Sequence, residues 1–65
     1  MATLTFVPDR THGNQRSANY LQLALEYAGA ESVQIESPTR MVATGRKRQL
    51  GNFRRIAESQ GWGEA

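Results

Sequence analysis

The chain has no cysteine and a single histidine. Without thiols no disulfide can brace it, and neither residue supports a zinc site of the usual cysteine and histidine ligands. No metal or cofactor is therefore expected. No apolar run approaches the roughly 18 residues of a membrane-spanning helix. The N-terminal stretch MATLTFVPDR lacks the basic start and long apolar segment of a signal peptide. These features predict a cytoplasmic protein without a membrane partner. A length of 65 residues predicts one small domain, residues 1–65, with a modest core. No internal repeat, linker or low-complexity tract interrupts it.

What is present is an uneven charge. The net charge is only +2, yet its distribution is blocked. Arg10 and Arg16 are balanced by Asp9 and Glu26. Glu31 and Glu36 then make an acidic stretch. From Arg40 to Arg55 the basic residues are Arg40, Arg46, Lys47, Arg48, Arg54 and Arg55, with no acid among them. Glu58 and Glu64 return the tail to acidity.

Periodicity predicts five elements. Ala2–Val7 alternates and is rich in β-formers, which predicts a strand with Leu4 and Phe6 on one face, closed by Pro8. The loop PDRTHGN follows. Leu21, Ala24, Leu25 and Ala28 fall at helical spacing, with Asn14 or Ser17 as cap, Gly29 as terminator, and Tyr20 and Tyr27 bordering the stripe. Ser32–Glu36 alternates again, Ser37-Pro38-Thr39 reads as a turn, and Arg40–Thr44 as a third strand. Leu50, Phe53, Ile56 and Ala57 share an arc of a last helix, whose start is set by Thr44 or by Asn52. Gly61 ends it, and Trp62 is expected to fold back on its last turn.

The order β-α-β-β-α predicts an α+β fold: a split βαβ unit, or ferredoxin-like arrangement without its final strand. Its sheet would have three strands in the order 1-3-2, with both helices on one face. The expected core is Leu4, Phe6, Leu21, Ala24, Leu25, Val33, Ile35, Met41, Leu50, Phe53, Ile56 and Trp62. The other face would expose Thr3, Thr5, Val7, Gln34, Glu36, Arg40, Val42 and Thr44.

The basic block supports two readings. Cations on an exposed helix can be solvated, their stems covering apolar surface. Yet cations in the first helical turn oppose the macrodipole. An anion held by those side chains and the free amide groups of the turn would relieve that conflict. On the second reading Arg40, Arg46, Lys47, Arg48, Arg54 and Arg55 form a phosphate-binding surface of a non-enzymatic protein. DNA and RNA are not distinguished. Stacking aromatics are missing from the strand RMVAT, which argues against the sheet-face RNA recognition used by some folds of this class.

An alternative is a protein-interaction module, such as a phage-type inhibitor or adaptor docking on a larger protein or ribonucleoprotein. It would use the face bearing Thr3, Thr5 and Val42, or a sheet edge, which also allows a homodimer. A third reading is a small nuclease-like toxin using His12, beside Asp9 and Arg10. It lacks a second evident general acid. The glycines match no phosphate-binding loop.

Overall fold

The computed structural model describes residues 1–65. Its elements are β1 (Ala2–Pro8), α1 (Gln15–Tyr27), β2 (Ser32–Ser37), β3 (Arg40–Gly45), a 3-10 turn (Lys47–Gln49), α2 (Leu50–Ser59) and β4 (Trp62–Glu64). The molecule is a small α+β domain with a four-stranded antiparallel sheet in the order β2-β3-β1-β4. The expected three-stranded 1-3-2 sheet is thus three of four strands, in the expected order. A fourth strand lies on the free edge of β1, which completes the β-α-β-β-α-β order of the ferredoxin-like arrangement.

Local chemistry explains most boundaries. The Asn14 side chain accepts a hydrogen bond from the Ser17 backbone N–H at 2.8 Å and so caps α1. Ser17 has another role: its hydroxyl accepts from Trp62 Nε1 at 3.0 Å. At the other end of α1, Gly29 has φ +103°. The Gly29 N–H donates to the Glu26 carbonyl and the Ala30 N–H to the Leu25 carbonyl, the paired bonds of a Schellman ending. Residues 38 and 39 turn β2 into β3, with a bulge between Ile35 and Ser37. Gly51 lies inside α2 as its second residue, so the helix begins before Asn52.

Trp62 does not fold back as a helix cap. It opens β4 and pairs with Pro8, with its indole 1% exposed in the core. β1 therefore runs through Pro8 instead of stopping before it. Proline is tolerated there because it ends the strand, where a missing N–H costs no interior ladder bond.

One face of the sheet carries the core. Leu4, Phe6, Met41, Ala43 and Trp62 from the strands meet Ala18, Leu21 and Leu25 of α1 and Phe53 and Ala57 of α2. Val33, Ile35, Leu50 and Ile56 pack at its margin, half-buried. Ala24, expected in the core, is also only half-buried, because the inward stripe of α1 starts a turn earlier, at Ala18. Tyr20 and Tyr27 do not border the core. They are 70% and 96% exposed.

Candidate nucleic-acid interface

Gly45 ends β3 buried against the Phe53 ring, and the chain turns there into the 3-10 turn. The Arg46 backbone N–H donates to Gln49 Oε1 at 3.0 Å, and the Gln49 backbone N–H to the Arg46 carbonyl at 2.8 Å. The Gln49 carboxamide also reaches the Gly29 carbonyl at 3.5 Å. Through Gln49 the turn is fastened to the end of α1. Arg46, Lys47 and Arg48 are thereby presented as three consecutive exposed cations. The amide groups opening such a turn have no intrahelical acceptor. Arg55, also exposed, follows Arg48 by seven residues, about two helical turns.

The six basic residues are not equivalent. Arg54 Nε donates to Glu64 Oε1 at 2.7 Å, and the carboxylate raises the arginine's already high pKa further. Arg40 Nε donates to Glu36 Oε1 at 2.7 Å. Arg40 also sits at the start of β3, five strand positions from Gly45, which places it roughly 16 Å from the basic turn. Arg46, Lys47, Arg48 and Arg55 form no ion pair within the chain. The structure thus gathers Arg46, Lys47 and Arg48 at one corner, with Arg55 on the following helix. It ties Arg54 to β4 and separates Arg40.

The exposed sheet face brings Thr3, Thr5 and Val42 together as expected from their alternation. Thr3 lies opposite Thr44 and Thr5 opposite Val42, while Val42 also faces Gln34 of β2. The Thr3 and Thr44 hydroxyls are 3.4 Å apart. The middle of this face carries neither charge nor aromatic ring, so it offers no base-stacking platform.

His12 stands at the opposite end of the sheet from the basic turn. Its Nδ1 is 2.7 Å from Asp9 Oδ1 and 2.9 Å from the Thr11 hydroxyl. Thr11 also donates to Asp9 Oδ1 through its backbone N–H and its hydroxyl, both at 2.9 Å. The hydrogen bond with His12 and those from Thr11 hold the Asp9 carboxyl down to about 2. The cluster rests on Gly61, whose carbonyl accepts from the Asp9 N–H at 2.8 Å. Beside it a groove is lined by His12, Asn14, Arg16, Ser17, Tyr20 and Gln60. No carboxylate lines that groove, and the Ser17 hydroxyl is engaged with Trp62. His12 is thus the one groove-lining group with an ordinary acid–base role, and its Nδ1 faces Asp9.

No group of three or more His, Cys, Asp or Glu side chains is placed to hold a metal ion. No helix is long and apolar enough to cross a membrane.

Sequence reasoning located the basic block but missed its division into paired and unpaired members. The Arg54–Glu64 pair spans ten residues and depends on β4. The Arg40–Glu36 pair had a visible signal, since the two flank the hairpin turn with opposite charges. No protein-family model, curated protein or solved structure was found to match the chain.

Proposed function

We propose that the protein is a non-enzymatic binder of nucleic-acid phosphates, acting through Arg46, Lys47 and Arg48 with support from Arg55. One observation carries this reading: these four cations are exposed and lack an acidic partner, while Arg40 and Arg54 are paired with Glu36 and Glu64. Three of them crowd the start of a helical segment, where the dipole disfavours positive charge. A phosphate seated there meets both the side chains and the opening amides. Arg40 and Arg54, already paired, add to the general field more than to direct contacts. Phosphate contact of this kind is sequence-neutral.

Fluorescence anisotropy against random duplex DNA, single-stranded DNA and RNA tests the proposal. Binding should weaken steeply as salt rises. On duplex DNA, each phosphate contact removed should reduce the slope of log affinity against log salt by about 0.9. The triple variant Arg46→Ala/Lys47→Ala/Arg48→Ala should lose binding to all three polymers while its circular dichroism spectrum stays the same. Wild-type protein that binds none of them at low salt would end this reading.

The open sheet face favours a second reading, docking on a larger protein or ribonucleoprotein. Thr5 and Val42 are directly opposed on it, and no helix covers it. Affinity for such a partner would survive high salt and fail when Thr5 or Val42 becomes lysine.

A further inference from the structure

α1 is apolar on two sides. Ala18, Leu21 and Leu25 face the core. On a second side, about 160° round the helix at 100° per residue, Tyr20, Leu23 and Tyr27 are 70%, 66% and 96% exposed. Their spacing of three and four residues makes one continuous stripe. It accounts for three of the five large apolar side chains that the fold leaves in solvent, the others being Met1 and Val7.

We infer that this stripe is the interface of a homodimer in which α1 lies antiparallel against α1 of a second copy. The charges on the helix select both the occupant and its direction. α1 bears only Arg16, near its start, and Glu26, near its end, and neither is ion-paired within the chain. Each is at the wrong end for the helix dipole: a cation at the positive terminus and an anion at the negative one. A parallel copy would set Arg16 against Arg16. An antiparallel copy brings its Glu26 to the positive terminus and its Arg16 to the negative one, which relieves both conflicts twice by symmetry.

With the two-fold axis between Leu21 and Gln22, Tyr20 meets Leu23 of the second copy. Arg16 then lies against the Tyr27 ring and beside Glu26 of the second copy, where cation–π and ionic attraction act together. Three large side chains bury roughly 400 Å² per protomer at the areas typical of such residues. The total falls below the roughly 1,200 Å² of stable interfaces, so the dimer dissociates on dilution.

Sedimentation velocity on the full chain, from about 10 µM to about 1 mM, the range suited to so small an interface, tests this directly. The wild type should shift from monomer to dimer across the series. Leu23→Glu should remain monomeric throughout with an unchanged melting temperature, because the residue makes no core contact. Arg16→Glu and Glu26→Arg should each weaken association about ten-fold or more. The double variant Arg16→Glu/Glu26→Arg should recover part of it through the restored ion pair. A wild type that stays monomeric to the highest concentration overturns the inference. So does a Leu23→Glu protein that still dimerises, or a double variant no stronger than the single ones.

Discussion

The two ends of the sheet treat polar side chains in opposite ways. At one end Asp9, Thr11 and His12 satisfy one another within 3 Å and rest on Gly61. Nearby, the Trp62 indole N–H is matched by the Ser17 hydroxyl. At the other end Arg46, Lys47 and Arg48 project from a turn fixed by Gln49 and meet no acid. The first pattern is what a fold uses to close itself: each donor has its acceptor, and the groups serve the chain that carries them. The second leaves electrostatic potential unspent. The contrast sets a histidine hydrogen-bonded within its own loop against basic residues that meet no acid.

Three experiments would break or sharpen that contrast, beginning with the largest effect. Trp62→Ala removes the side chain that joins β4 to both helices. A buried aromatic truncation of this kind costs about 3–5 kcal/mol, against roughly 3–10 kcal/mol of total stability for a domain of this length. Urea denaturation should show a protein at or past the edge of folding, while Trp62→Phe, which keeps most of the volume, stays folded. An unaffected midpoint in the alanine variant would mean that the histidine end does not close the fold.

At the basic end the expected sign reverses. Gly51 lies within the first turn of α2, and an added Cβ would meet no atom within 4 Å. Gly51→Ala should raise stability by about 0.5–1 kcal/mol through helix propensity alone. A loss of stability would show that the turn holding the three cations is more tightly determined than its open surroundings imply.

The smallest effect is a pH dependence. Asp9 titrates near 2 in the folded chain, below the carboxylate value of 3.8. A depressed acid stabilises the fold above its unfolded value, so the contribution of Asp9 is complete above about pH 4. It fades as pH falls toward 2. Carboxyl NMR should give an Asp9 midpoint near 2, and His12→Ala should move it upward, since the hydrogen bond with His12 is the chief cause. An Asp9 midpoint unmoved by that substitution would leave the cluster without its main member.

Much of this architecture was legible in the sequence. The alternation of Leu4 with Phe6 and of Val33 with Ile35 marked strands, and the stripes through Leu21, Leu25, Phe53 and Ala57 marked both helices. The right-handed crossover rule then placed β3 between β1 and β2. β4 was not legible, because Trp62–Glu64 is too short to alternate and lies between and upon glycines, which are poor strand formers. The buried alanines Ala18 and Ala43 were hidden for another reason. Alanine carries little hydrophobic signal, and its burial reports how closely backbones approach. Tyr20 and Tyr27 misled in the opposite sense, since periodicity shows which residues share a side of a helix and not which side the sheet will cover. The basic corner was visible as composition. Which cations stayed free was not, because the partner of Arg54 stands on the strand that could not be foreseen.

The bulge between Ile35 and Ser37 carries a consequence for assembly. β2 is an outer strand, and an outer strand with a straight, unpaired ladder invites the edge of another molecule. The bulge breaks the regular spacing of hydrogen-bonding groups along that edge, and the Glu36–Arg40 pair sets charge beside the break. The opposite edge, β4, offers only three residues. Both features limit the length of a fifth strand that either border could template.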